Sequence, residues 1–369
     1  MCYGTSREWF AGSSCHFTVV PMHTSTSYIW SLGAVLLAGG CAPAGQMAHT
    51  EAVVSSAGLS LRTTIATPYI ESQTVSVALD RIDQHLLPLD QTYKHFGSGR
   101  GVTIYVFDGG IMETHPELAG RVRRGFNGFP DEEHICNAHG TAVAGAAAGA
   151  TLGVAPDAEI VDVKMVECRQ LRGTIDAIVR GTQWVLMHHA RHPERRSIAN
   201  WSFVADTSDG IPALDAAVQQ LNDAGIPVIV SAGNLEINAC HVSPGNSPGA
   251  IVVGASRMRS VVRNAVARLV DERAPGTAYG PCVDVFAPGD SVLLPSMDTQ
   301  HAATQQLWTG TSMSAGYVSG AAALYLEAHP LATTRSVAAH LIGTASHEMV
   351  VDERSPAAGL LYVGPAAAP

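Results

Sequence analysis

The chain has 369 residues, of which 46% are hydrophobic and 15% charged. Such a composition supplies one large core and excludes a disordered or low-complexity protein. The formal net charge of -10 lacks the basic footprint that nucleic-acid binding needs, so no nucleic-acid partner is expected.

In chain order, the first informative segment is the apolar run from Tyr28 to Gly40. It is too short to span a bilayer as a helix and fits the core of a signal peptide. Cys41 follows directly on small residues. That suits either the lipid-modified cysteine of a bacterial lipoprotein or ordinary cleavage near Ala42 or Ala44. Residues 1–41 therefore read as an export signal, with Met22 as an alternative start. The product is either secreted or anchored to the cell envelope through Cys41. Residues 42–74 are rich in Ser, Thr and Ala and read as a linker or short propeptide. Residues 75–369 read as a single domain.

From residue 100, strand-like and helix-like runs alternate. Strands are expected at 102–107, 159–165, 197–203, 226–232 and 250–254. Helices are expected at 139–149, 173–190, 211–224, 312–328 and 332–343. This alternation predicts an α/β fold with a mostly parallel sheet and helices on both faces. Between Arg257 and Arg273, basic and apolar residues alternate, which reads as a surface excursion, a hairpin or a helix. Arg191, Arg195 and Arg196, with His188, His189 and His192, read as a solvated helix end.

Four segments carry chemistry. Asp108 ends the run Val102-Thr103-Ile104-Tyr105-Val106-Phe107 and precedes two glycines. A carboxylate at the carboxyl end of a buried strand lies where α/β sheets place their sites, although an Asp–Gly turn has the same pattern. His139 opens His139-Gly140-Thr141-Ala142, before a small-residue helix. Asn234 closes Val228-Ile229-Val230-Ser231-Ala232-Gly233. Ser312 lies in Gly310-Thr311-Ser312-Met313 and runs into an alanine-rich segment. Backbone N–H groups at such a helix start favour developing negative charge, although an N-cap serine looks alike. Together, in the order Asp, His, Asn, Ser, they supply an orienting acid, a base, an oxyanion donor and a nucleophile.

These four segments resemble the subtilisin-like serine proteases, peptidase family S8, in which the chain order is Asp, His, Ser. The proteinase K and aqualysin branch is closer. Ala78-Leu79-Asp80-Arg81-Ile82-Asp83-Gln84 resembles the start of a mature enzyme of that branch, and Val283-Asp284-Val285-Phe286-Ala287-Pro288-Gly289 is also typical of it. The resemblance runs from about residue 75 to the C-terminus. It implies a three-layer α/β/α fold and an exported, monomeric serine endopeptidase acting on peptides or proteins, with no cofactor for the chemistry. It makes Ser312 the nucleophile, His139 the general base and then acid, and Asp108 the group orienting His139. Asn234 becomes the oxyanion donor beside the Ser312 backbone N–H. Substrate would pair as a strand between Arg172-Gly173 and Ser202-Phe203, with Ala232-Gly233 lining the pocket floor. No acidic residue stands out on these segments, so an apolar side chain beside the scissile bond is expected. Pro248, Ala250 and Asp284 occupy the positions of a structural calcium site.

Of the seven cysteines, Cys136, Cys168, Cys240 and Cys282 lie within the protease-like region. Four cysteines allow three pairings from sequence alone; the resemblance selects Cys136–Cys168 and Cys240–Cys282. Several positions depart from the pattern. Gly109 stands where relatives carry Thr or Ser, and Ala142 where they carry His. Val204-Ala205-Asp206 stands in place of glycines, where a Val204 side chain would narrow the pocket. Gly316-Tyr317 replaces a Pro-His pair. These departures keep open a second reading, a subtilisin-fold binding or regulatory protein with little or no turnover.

Overall fold

The computed structural model describes residues 48–55, 58–65, 69–206, 210–263, 266–352 and 354–364. Cys2, Cys15, Met22, the apolar run at 28–40 and Cys41 lie outside the described residues.

The strand Val102–Asp108 is buried at every position. Its side chains alternate between two cores. Ile104 and Val106 join one cluster with Ile198 and Ile229, whereas Tyr105 and Phe107 join a second with Ala199, Trp201, Val228 and Val230. A strand apolar on both faces must be covered on both faces, which requires helices on each side. The helices His139–Ala148 and Thr311–Ala328 bury their residues in the first cluster. Ile175–Ala190 and Pro212–Asp223 bury theirs in the second.

The resulting sheet has ten strands. Its main path runs Val350–Val351, Val266–Arg273, Ala250–Arg263, Val228–Ser231, Arg196–Trp201, Val102–Asp108, Glu159–Lys164 and Val122–Asn127, with Val285–Pro288 beside Ala250–Arg263 and Gly359–Leu360 beside that. Within it, only the 256–263 and 266–273 segments pair antiparallel. The architecture is the expected three-layer α/β/α arrangement.

The excursion at 257–273 is an antiparallel hairpin that prolongs a sheet strand. Glu272 binds Arg257 and Arg259 across its two strands. Asp271, at its base, accepts three hydrogen bonds of 2.8–3.0 Å from the buried Arg81 of the Val77–Ile82 helix. That pair ties the start of the domain to the hairpin. The run expected to be a linker carries regular backbone too. Ala48–Ser55 pairs with Gly58–Ile65, and Tyr69–Gln73 pairs with Thr92–Phe96.

Other boundaries move by a residue or two. The first strand after residue 225 is Val228–Ser231, and the helix after Gly173 begins at Ile175 because Thr174 caps it, accepting from the Ala177 N–H at 3.1 Å. The hairpin of Val292–Met297 with Ala303–Trp308 was not legible from periodicity. Its second strand is mostly exposed, so its sequence lacks an apolar alternation.

Candidate active site

Asp108 is the last residue of its strand and is 4% exposed. Its Oδ1 accepts the Gly109 N–H at 2.7 Å, and its Oδ2 lies 2.8 Å from His139 Nδ1. The carboxylate is thus held by backbone on one side and presented to an imidazole on the other, and no hydroxyl at residue 109 is needed to fix it. His139 is the first residue of its helix, and Asn137 Oδ1 accepts its backbone N–H at 2.9 Å. Burial pushes the imidazole pKa down. The charge of Asp108 and its hydrogen bond outweigh this and hold it above the usual histidine value.

Ser312 is the second residue of the helix that begins at Thr311, and it is 7% exposed. Gly310 has φ +149°, and a Cβ there would lie 3.2 Å from Asn234 Nδ2, so the turn into the helix and the approach to Asn234 both favour glycine. The Ser312 hydroxyl donates to the Ser202 carbonyl at 3.3 Å, and the Ser202 hydroxyl donates to the Ser312 carbonyl at 3.2 Å. Asn200 donates to Ser202 Oγ at 2.9 Å and accepts from Ser319 Oγ at 2.9 Å. This buried chain fixes the end of the Arg196–Trp201 strand against the helix carrying Ser312.

Asn234 is exposed. Its Oδ1 accepts from the Thr311 backbone N–H at 3.0 Å and the Thr311 hydroxyl at 3.1 Å, while Thr311 Oγ1 accepts the Gly233 N–H at 3.2 Å. With Oδ1 committed to Thr311, the amide's Nδ2 is the group left to donate outward. Thr311 was not singled out from sequence, where it read only as part of the serine motif.

A cleft of about 1030 Å³ is walled by Asp108, His139, Arg172, Gly173, Ser202 and Phe203 among others. Arg172–Gly173 is a short exposed strand paired with Val166–Glu167, so it presents a sheet edge. Ala232 and Gly233, expected at the pocket floor, are buried and are not among the walls of this cleft. Val204 and Ala205 line it instead. Trp308 also lines it, edge-on to His139 with ring centroids 6.2 Å apart and planes at 76°. Sequence reasoning missed Trp308. The only signal was a large aromatic close before Gly310.

The loop flanking the cleft is bound to the sheet at several points. Cys136 is joined to Cys168, and elsewhere Cys240 is joined to Cys282. His134 Nε2 lies 2.8 Å from the fully buried Asp162, whose pKa burial raises. Buried Lys164 donates to the Glu133 carbonyl. Glu132, Cys136 and Cys168 cluster with metal-like spacing, but both sulfurs are in the disulfide, so no thiolate is available. Asp284 is placed differently. Its Oδ2 accepts the Val252 N–H at 2.8 Å, and burial raises its pKa against that single hydrogen bond. Among the described residues it has no ion-pair partner. A half-buried carboxylate with spare acceptor capacity, whose hydrogen-bond partner Val252 lies two residues after Ala250, is the donor type that a hard oxygen-bound cation takes.

Matching of the chain to known proteins agrees with this geometry. Residues 99–359 match the subtilase family model, Peptidase S8, and the chain belongs to that family. It is 37% identical over 289 residues to an extracellular serine proteinase of Thermus sp. (strain Rt41A), covering 78% of this chain and 65% of the relative. It is 35% identical over 287 residues to alkaline serine exoprotease A of Vibrio alginolyticus, covering 77% and 49%. The chain thus spans less than two thirds of the length of either relative. A crystal structure of a cold-adapted subtilisin-like serine proteinase superposes with a TM-score of 0.68 at 34% identity, covering 80% of this chain and 100% of that one.

Proposed function

We propose that the chain is an exported serine endopeptidase that hydrolyses peptide bonds through an acyl-enzyme on Ser312. The observation that carries this reading is the 2.8 Å contact of His139 Nδ1 with the buried Asp108, on the wall of a cleft edged by Arg172–Gly173 and Ser202–Phe203. A serine hydroxyl is a weak nucleophile until a base takes its proton. Asp108 holds His139 with its proton on Nδ1 and leaves Nε2 as the base. Ser312 Oγ then attacks the substrate carbonyl. The oxyanion is met by Asn234 Nδ2 and the Ser312 backbone N–H, donors held in place beforehand by Thr311 and the helix start. His139 returns its proton to the leaving amine, and water repeats the sequence to free the acyl product.

Peptide and protein substrates bind as an added strand between the two cleft edges, and the enzyme acts as a monomer. Pro248, Ala250 and Asp284 hold a calcium ion, which supplies structural support and no chemistry. Residues 1–41 direct export, with Cys41 either lipidated or removed; residues 42–74 precede the peptidase domain at 75–369. The two disulfides and the name of the Thermus relative support an extracellular setting.

Casein hydrolysis by purified protein tests the reading. Turnover in the native chain and its loss in Ser312→Ala are expected. Equal, background-level hydrolysis by both would favour the alternative, a subtilisin-fold binding or regulatory protein, whose support is the set of departures at Gly109, Gly316, Tyr317 and Val204, the last of which lines the cleft.

A further inference from the structure

We propose that Val204 closes the pocket for the side chain preceding the scissile bond, so that the enzyme cleaves after glycine and alanine and rejects large residues there. The inference rests on the reading of Ser312 as nucleophile. A carbonyl between Ser312 Oγ and Asn234 Nδ2, on a substrate paired along Ser202–Phe203, projects the preceding side chain toward the 232–234 turn. Gly233 there has φ +101° and no side chain of its own. The space above it is shallow. Val204 Cγ1 and Cγ2 lie 3.4 and 3.5 Å from where a Gly233 Cβ would stand, and Val242 Cγ1 lies 3.7 Å from it. These are ordinary van der Waals separations from a carbon that glycine lacks, so the space over Gly233 accepts a single carbon before it meets Val204 and Val242. Val204 and Ala205 stand on the cleft wall next to Ser202 and Phe203.

Val204 is not free to swing aside. On one side, Ser202 is clamped to Ser312 by two hydrogen bonds, and Phe203 stacks on Trp201 at 5.3 Å. On the other side, Ala205 pairs antiparallel with Ser243. A β-branched side chain between two fixed neighbours has little rotamer choice. A substrate methyl group fits against such a surface, whereas a benzyl or isobutyl group requires Val204 to move.

The test uses tetrapeptide p-nitroanilides that differ only in the residue before the scissile bond, Ala or Phe. The native enzyme is expected to show kcat/KM for Ala at least about tenfold above that for Phe, since a few misfitting carbons in a close-packed pocket discriminate on that order. Val204→Gly is expected to reverse the preference, and Val204→Ala to reduce it. Active-site titration with a small fluorophosphonate accompanies each assay. Full titration with a native preference for Phe, or a ratio unmoved in both variants, overturns this proposal alone. Failure of the native protein to titrate overturns the nucleophile assignment beneath it. Mass-spectrometric mapping of native cleavages in an unfolded protein substrate gives the same answer without a variant: cuts after Gly and Ala support the proposal, and cuts spread over Phe, Leu and Tyr contradict it.

Discussion

His139 is pulled in two directions, and the balance sets a pH dependence. Burial disfavours the imidazolium, while Asp108 favours it more strongly and raises the pKa above the ordinary value of 6.5. A general base must be neutral, so kcat/KM should rise with pH through a limb above 6.5 and level off beyond it. The stability contribution of the pair has the opposite slope: it is fully present below the unfolded pKa and lost as pH rises through the folded one. In Asp108→Asn only burial remains. Its kcat should fall by about 10⁴, and its residual limb should move to lower pH; an unshifted limb measured by pH-dependent kinetics would mean that Asp108 does not act on His139. Asp108, His139 and Ser312 were legible in the sequence as candidates, because one sits where a strand ends and two where helices begin, each beside small residues. Thr311 and Trp308 were not legible. Their roles come from side-chain contacts with Asn234 and His139, residues distant in sequence, and local pattern carries no trace of such contacts.

The element scale explains the departure nearest the nucleophile. Gly316 and Tyr317 first read as alterations of the site, yet both serve packing. Gly316 lies where the 311–328 helix crosses the 139–148 helix; a Cβ there would stand 2.7 Å from the Val143 carbonyl oxygen and 2.9 Å from Ala146 Cβ. Because the first obstacle is backbone, it yields little. Gly316→Ala gains helix propensity but forces the helices apart, and overpacking should win at a net cost of about 1–3 kcal/mol. Urea unfolding checks this, and an unchanged or higher midpoint would show that the helices separate at little cost. Tyr317 is fully buried, and burial raises its pKa against an opposing interaction with Ser76, the residue that caps the Val77–Ile82 helix. Helices and parallel strands were legible because their apolar periods are long. The 292–308 hairpin and the pairing at 69–73 were not, since exposed strands bury too little to leave a period.

At the scale of the whole molecule, the mostly parallel sheet with helices on both faces was expected from the alternation of elements alone, the cleft edges were expected from the resemblance, and one large core was expected where the sheet divides two. The base of the 257–273 hairpin was not expected, because its anchor is a buried ion pair between Arg81 and Asp271, 190 residues apart. Calcium also belongs to this scale, since a cation at Asp284 would tie the 248–250 turn to the strand at 285–288. Chelation is expected to lower the thermal midpoint of the native protein, and Asp284→Ala should erase the difference between chelated and calcium-loaded samples. Equal midpoints for the native protein under both conditions would exclude the site.

The account turns on one atom, Ser312 Oγ. Peptide mapping of protein treated with a fluorophosphonate reports directly on it. A single, near-stoichiometric adduct on Ser312, absent from Ser312→Ala and slow to form in Asp108→Asn, is predicted. An adduct on another residue, or none in folded and correctly processed protein, would contradict the assignment of Ser312 as the nucleophile.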